Sequence, residues 1–97
     1  MKTIVGSLPD CPNGTVTLSF PRPAKVISTG LPAPGTVEIR LDSGGNVPAG
    51  TQVWGNDEME PGGAWLAIVR DGTGKVVRSK LWPVRGASPI VLFKMPI

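Results

Sequence analysis

The sequence predicts an all-β fold, a two-sheet antiparallel sandwich of about seven or eight short strands. Short runs rich in Val, Ile, Leu and Thr alternate apolar and polar residues, which is the period of a half-buried strand. The 13 glycines and 11 prolines interrupt these runs often, as in all-β domains with many turns. No segment shows a capped helical period, and 97 residues suffice for one domain. Residues 1–97 are therefore interpreted as a single sandwich domain.

The first half of the chain contains two clearly alternating segments. Residues 15–20 place every second side chain on one apolar face, and prolines follow, which cannot donate to a sheet ladder. Residues 36–41 alternate in the same way and lead into a turn of Asp, Ser, Gly and Asn at 42–46. Shorter strands are expected at 2–6 and 25–28. The inward side chains of the two alternating segments are predicted to be Val16, Leu18, Phe20, Val37, Ile39 and Leu41.

The second half is predicted to centre on a hairpin. Residues 64–69 are apolar on both faces, which is typical of a central strand that is covered on two sides or lies at a subunit contact. A tight turn at 71–74 reverses the chain into a partner strand at 75–82. Short strands are expected at 51–54 and 90–93. The core residues predicted from the central strand are Trp65, Ala67 and Val69.

The net charge of +3 is unevenly spread. Residues 70–97 contain six basic residues against Asp71 alone, a balance of +5, whereas residues 1–69 contain four basic and six acidic residues, a balance of −2. This asymmetry is compatible with an ordinary solvated surface, and also with contacts between copies or with an anionic partner. Cys11 is the only cysteine, so the fold depends on its core rather than on an internal disulfide.

The start of the chain lacks the features of a targeting segment. No basic and then apolar leader follows Met1, and no apolar run approaches the length of about 20 residues that spans a bilayer. The sequence therefore predicts a soluble protein, complete from its own start, made in the cytoplasm and independent of a membrane.

The residue types argue against catalysis. The chain has no histidine, so Ser-His and Cys-His nucleophile pairs and histidine-based zinc sites are excluded. Asp57, Glu58 and Glu60 form the only carboxylate cluster, but neighbours in one turn rarely face each other across a substrate as a glycosidase requires. We expect no enzyme activity and no cofactor.

The acidic turn at residues 56–58 has two interpretations. Asn56, Asp57 and Glu58 are expected to fix the loop through side-chain bonds to nearby backbone N–H groups, with Pro61 and Gly63 completing it. Oxygen ligands on loops also suit calcium, although the spacing matches no EF-hand loop. The candidate ligands for calcium would be Asp42, Asn46, Asp57 and Glu58. The architectural interpretation is favoured, and no metal is predicted.

Tryptophans and basic residues supply the candidate interface. Trp65 is expected in the core, while Trp54 and Trp82 are expected in the core or at an interface, and exposed rings would favour sugar stacking. Arg78 and Lys80 are predicted to share a strand face with Val76 and Trp82. Nucleic-acid-binding proteins use such stripes, but one short strand is weak evidence, so a nucleic-acid partner is not predicted.

The order Trp54-Gly55-Asn56-Asp57-Glu58, two residues, Pro61, one residue, Gly63 and an aromatic strand resembles a known pattern. It is similar to an immunoglobulin- or transthyretin-like β-sandwich domain that recurs in virion proteins of tailed phages, including tail-fibre, baseplate and decoration proteins. The resemblance covers about residues 14–93. The family usually has an aromatic pair after the Pro-x-Gly step, where this chain has Ala64-Trp65.

The resemblance implies a non-enzymatic virion protein that is made in the host cytoplasm. The implied role is a small accessory subunit, either a capsid decoration or a tail or fibre component. It would assemble with itself, as a homotrimer or higher multimer, and dock on a larger virion protein of the capsid or tail. The alternative is a carbohydrate-binding module for host recognition, which would depend on exposed tryptophans.

Overall fold

The computed structural model describes residues 1–20, 23–33 and 35–93, and the chain is all-β as predicted. Apart from the strands, the described residues contain one short 3-10 helix at the acidic turn, Asn56–Glu58. The strands are β1 Lys2–Val5, β2 Thr15–Ser19, β3 Lys25–Val26, β4 Thr36–Arg40, β5 Gln52–Val53, β6 Met59–Glu60, β7 Trp65–Arg70, β8 Val76–Trp82 and β9 Ile90–Val91.

The largest sheet is antiparallel and has the order β4-β2-β7-β8. A second sheet has the order β5-β1-β9, in which β1 and β9 are parallel. Strands β3 and β6 form a small third pair beside the acidic turn. The described residues therefore form nine strands, where the sequence predicts seven or eight, and the β1–β9 pair is parallel where antiparallel pairing is expected.

The core lies between the two larger sheets, as expected of a small sandwich. The register aligns Val16 with Ile39 and Val69, all three of which are fully or almost fully buried. Ile4 and Val53 of the smaller sheet belong to the same apolar cluster. Every residue predicted in or near the core is in that cluster or packs against it, with Phe20 and Val37 only partly buried.

Strand β7 is central, but only one of its faces is fully covered by the described residues. Trp65, Ala67 and Val69 are fully buried, whereas Leu66 and Ile68 on the opposite face are half-buried. The prediction of a central apolar strand is confirmed. The sequence offers two explanations for an apolar strand of this kind, coverage on both faces or a subunit contact. Within the described part of the chain, β7 is not fully covered on both faces.

The hairpin between β7 and β8 has the predicted turn. The Asp71 carboxylate accepts hydrogen bonds from the N–H groups of Thr73 and Lys75, at 2.9 and 3.1 Å. This is the local side-chain to backbone bonding that favours Asp in turns. The register shifts beside Val69 and Arg70, so β8 has one extra residue near its start.

Three of the shorter strands end earlier than predicted. Strand β3 stops at Val26 because the carbonyl of Val26 accepts N–H bonds from Thr29 and Gly30 and closes a turn. Strand β9 ends at Val91, and Phe93 adopts a φ of 63° that ends extended pairing. Strand β5 covers only two residues of the predicted segment 51–54. The predicted stop at Pro21 lies outside the described residues.

Candidate functional site

Asn56 joins the acidic turn to the segment that follows β8. Its side chain is 1% exposed, its N–H donates to the Val84 carbonyl at 2.6 Å, and its Oδ1 accepts the Val84 N–H at 2.8 Å. A buried backbone N–H needs an acceptor. At Val84 the Asn56 side chain supplies that acceptor, where a neighbouring strand would otherwise do so. The Nδ2 of Asn56 has no partner among the described residues.

Asp57 lies in a closed triangle with Lys2 and Gly86. Its Oδ2 accepts the Gly86 N–H at 3.0 Å and lies 3.3 Å from the Lys2 ammonium. The same ammonium donates to the Gly86 carbonyl at 2.6 Å. The carboxylate and the lysine together hold the 86 region against β1.

Glu58 closes the turn on itself. Its Oε1 accepts the Gly55 N–H at 2.8 Å, while the Glu58 N–H donates to the Gly55 carbonyl at 2.9 Å. The glutamate side-chain bond is one half of a capping box, while the second bond is the backbone bond of the 3-10 turn, because glycine has no side chain to supply the other half. The other carboxylate oxygen lies 3.1 Å from the α-amino group of Met1.

The remaining residues of the pattern also have structural contacts. A Cβ on Gly55 would lie 2.6 Å from both Asp57 Oδ1 and the Lys2 Cε, so a side chain there would displace the ion pair. The Trp54 carbonyl accepts the Trp65 Nε1–H at 3.1 Å. Gly63 has a φ of 95°, which favours glycine.

Two further features complete the 54–63 segment. The peptide bond before Pro61 is cis. The Gly63 carbonyl accepts a hydrogen bond from Arg85 at 3.2 Å. Arg85 therefore adds a second contact between this segment and the stretch after β8.

The three predicted loop residues all accept backbone N–H groups, as expected, but only Glu58 has the expected nearby partner. Glu58 bonds a nearby N–H, as predicted. The prediction is wrong for Asn56, whose partner is 28 residues away, and incomplete for Asp57, which reaches an N–H 29 residues away. A side chain shows that an acceptor is present, but sequence alone does not show which N–H the fold brings to it.

The pKa of Asp57 gives a testable pH dependence. Partial burial acts to raise this pKa, but the Gly86 N–H and the Lys2 ammonium outweigh it, and the pKa falls below the ordinary 3.8. A lowered carboxyl pKa contributes stability above the unfolded-state pKa, and this contribution disappears as pH falls through the folded-state pKa. We expect Asp57→Asn to be less stable than the wild type at pH 6, with the gap closing below pH ~4.

Urea unfolding of both proteins across this pH range measures that gap. The Asn side chain can still accept the Gly86 N–H, so the variant isolates the charge. A gap that stays constant or widens in acid would show that the charge of Asp57 does not stabilise the fold.

The structure does not assemble the calcium candidates. The Asp42 carboxylate accepts the Gly44 and Asn46 N–H groups within its own turn, at 2.8 and 2.9 Å. Asp57 and Glu58 instead make the contacts of the acidic turn described above. In residues 1–20, 23–33 and 35–93, no three acidic, histidine or cysteine side chains are grouped to hold a metal.

The tryptophan candidates do not form an exposed platform. Trp82 is 0% exposed, so its predicted interface role is wrong and the core alternative is right. The centroids of the Trp82 and Phe93 rings lie 5.5 Å apart. Trp54 is half-buried and packs against the core, and Trp65 is fully buried. The exposed rings on which sugar stacking would depend are therefore not supplied by these residues.

Arg78 and Lys80 are exposed on β8, as an interface would require. Arg78 pairs with Asp10 at 2.9 Å, an exposed contact of modest strength. The Lys80 ammonium lies 5.4 Å from the centre of the Phe93 ring, within the range of a cation–π contact. Because Trp82 is buried, the basic and aromatic stripe considered for nucleic acid presents no tryptophan to solvent.

An apolar surface lies on the outward face of the large sheet, and the sequence predicts its β7 half but not its β8 half. We call Leu66, Ile68, Val76 and Leu81 the apolar strip. The register places Leu81 opposite Leu66, and Val76 and Leu81 are 49% and 63% exposed. The phase of β8 indicates Leu81, which must point outward if Trp82 points inward. The same phase predicts that Val76 shares the face of Trp82, and this is wrong, because the register shift beside Arg70 moves Val76 to the outward face.

Comparisons with family models, curated proteins and solved structures found no match to the chain. In the described part of the chain, no helix is long and apolar enough to span a membrane.

Proposed function

We propose that this chain is a non-enzymatic structural subunit of a tailed-phage virion. It attaches in many copies to a larger capsid or tail protein and resides in the virion after synthesis in the host cytoplasm. The observation that carries this proposal is the apolar strip, a partly exposed surface on the outward face of the four-stranded sheet. Exposed apolar surface of this kind is typical of protein contact sites.

The geometry of the acidic turn supports a structural role. Asn56, Asp57 and Glu58 all bond to backbone groups, and both carboxylates also lie beside cations. These residues carry the resemblance to phage virion domains. Their contacts join the acidic turn to the start of the described chain and to the segment after β8, so they have an architectural role in the proposed subunit.

The same contacts refine the expected self-assembly. Asp57 and Glu58 are paired within the chain, so they have less to offer the basic C-terminal third of another copy. A homotrimer or higher multimer on the particle would then depend mainly on the apolar strip and on the larger virion protein that it contacts.

Co-sedimentation with purified phage particles that lack this protein tests the proposal. We expect the wild type to pellet with the particles and Leu81→Lys, which places a charge in the apolar strip, to remain mostly in solution. Val91→Lys is the matched control, because Val91 is 47% exposed on the smaller sheet. Analytical ultracentrifugation of the free protein at low and high salt measures self-association separately.

Two results would contradict the proposal. The first is that the wild type does not sediment with the particles. The second is that Leu81→Lys binds the particles as well as Val91→Lys does. Specific binding to a glycan array without particle binding would instead favour the carbohydrate-recognition alternative.

A further inference from the structure

We propose that the outer edge of β8 is a docking site for one extended segment of a partner protein in which carboxylate and apolar side chains alternate. The segment would add a fifth strand to the large sheet. This inference rests on the proposed attachment role and names its contact surface. Within the described residues, β8 ends the strand order, so no described strand pairs with its outer side.

The strand register and two flanking hydrogen bonds fix which backbone groups face that edge. The Phe20 N–H donates to the Gly35 carbonyl, and the Leu41 N–H donates to the Gly14 carbonyl. Both bonds extend the β2–β4 ladder, and bonded pairs alternate along an antiparallel ladder. The even-numbered residues of β2 therefore bond β4, and its odd-numbered residues bond β7.

The same alternation continues across the sheet. The odd-numbered residues of β2 pair with the even-numbered residues of β7, which leaves the odd-numbered residues of β7 to bond β8. Their partners on β8 include Arg78 and Lys80. The N–H and C=O groups of Ser79 and Leu81 consequently point away from the sheet, where an added strand would bond them.

The side chains of β8 define the chemistry of that strand. Arg78 and Lys80 share one face, and Ser79 and Leu81 share the other. In an antiparallel addition, the positions opposite Arg78 and Lys80 are non-hydrogen-bonded pairs, where side chains come closest. Carboxylates fit there, while an apolar residue opposite Leu81 would extend the apolar strip.

A second copy of β8 is a poor occupant. Pairing two β8 strands about a two-fold axis at Ser79 puts Arg78 opposite Lys80, and an axis at Arg78 or at Lys80 puts that residue opposite its own copy. An axis at Leu81 puts Pro83, which has no N–H to donate, opposite Ser79. Like charges directly opposite each other on neighbouring strands are destabilising. Basic side chains on an edge strand are a known protection against such self-pairing.

The other edge of the sheet does not offer the same site. On β4, Arg40 is the one cation and its Nε lies 2.9 Å from Glu38 of the same strand, whereas β8 carries Lys80 in addition to Arg78, which pairs with Asp10. The side chains of Thr36, Glu38 and Arg40 share its outward face and include no aliphatic residue. The combination of cations and apolar surface belongs to β8.

Hydrogen exchange of the free protein tests the edge directly. We expect the Ser79 and Leu81 amides to exchange fast and the Arg78 and Lys80 amides to exchange slowly, because only the second pair bonds β7. Slow exchange at Ser79 and Leu81 in the monomer would mean that the edge is already covered and would overturn the inference.

Peptide binding tests the chemistry. The probe is a blocked peptide of alternating valine and glutamate, about as long as β8, and the comparison peptide has lysine in place of glutamate. By NMR, the glutamate peptide is expected to protect Ser79 and Leu81 and to bind about tenfold more tightly than the lysine peptide. Equal affinity, or protection of β4 amides instead, would contradict the inference.

Two variants separate the backbone from the charge. Ser79→Pro removes one outward N–H without removing a β7 bond, so it should weaken glutamate-peptide binding about tenfold relative to Ser79→Ala. Lys80→Glu should bind the glutamate peptide more weakly and the lysine peptide more tightly than the wild type does. This variant tests the inference even if Ser79→Pro folds poorly. Unchanged binding by either folded variant would overturn the inference.

The particle assay distinguishes this inference from the proposed function. If the wild type and a folded Ser79→Pro both pellet with the phage particles, attachment stands but the β8 edge is not its site. If the wild type does not pellet, the proposed function fails, and the peptide measurements still decide whether the β8 edge accepts an acidic strand.

Discussion

Trp65→Ala is expected to reduce the free energy of unfolding by about 3–5 kcal/mol, the usual cost of truncating a buried tryptophan. Trp65 is 0% exposed and begins the central strand β7. Its ring meets the Phe20 ring edge to face, with 5.8 Å between the ring centroids, and its Nε1–H donates to the Trp54 carbonyl at 3.1 Å. Small domains are stabilised by about 5–15 kcal/mol in total, so this single change removes a large share.

Urea unfolding followed by far-ultraviolet circular dichroism measures the effect. Trp65→Phe is the matched control, because it keeps an aromatic ring in the core and removes the indole N–H. It should cost less than the alanine variant, and the same measurement on Trp54→Ala tests a half-buried ring. A loss below about 1 kcal/mol for Trp65→Ala would mean that this ring does not fill the core as described.

The parts of the fold that sequence predicted are those where several residues repeat one pattern. Strands β2 and β4 show the period of two, and their register places Val16 and Ile39 together in the core. The turn at Asp71 was recognisable because its hydrogen bonds are local. In each case, the information lies within a few neighbouring residues.

Other parts depend on contacts between distant segments. Strands β3, β5, β6 and β9 have two residues each, too few to show a period. The parallel pairing of β1 with β9 joins segments from the two ends of the described chain. In β8, the sequence leaves Trp82 in the core or at an interface, and the structure buries Trp82 and exposes Leu81, because alternation gives the phase of a strand only after one residue is placed.

The candidate site shows the same limit. The sequence marked Asn56, Asp57 and Glu58 as loop-fixing residues, and all three do make structural contacts. It could not identify Val84 or Gly86 as partners, because those backbone groups reach the acidic turn only when the chain folds. Hydrogen-bonding capacity is a property of the residue, whereas the partner is a property of the topology.

Asn56→Ala is expected to cost about 1–3 kcal/mol, the usual penalty for a buried N–H left without its acceptor. The residue affected is Val84, whose N–H is held by Asn56 Oδ1 at 2.8 Å and whose side chain is fully buried. Gln52→Ala removes an exposed amide from β5 and should change stability little. Urea midpoints of the three proteins at pH 7 make this comparison.

Asn56→Asp then separates the hydrogen bond from the volume of the side chain. The aspartate retains an acceptor for Val84 but places a charge where Asn56 is 1% exposed, so burial should raise its pKa. For a raised carboxyl pKa, stability is lost as pH rises through the unfolded-state and then the folded-state value. Asn56→Asp should therefore regain stability relative to the wild type as the pH is lowered, because its buried carboxylate becomes protonated. The stability difference between Asp57→Asn and the wild type should also shrink in acid, but for another reason: the wild type loses the contribution of its Asp57 charge. If Asn56→Asp is as stable as wild type at pH 7, the Asn56 site is open to water and the tie to Val84 is not buried.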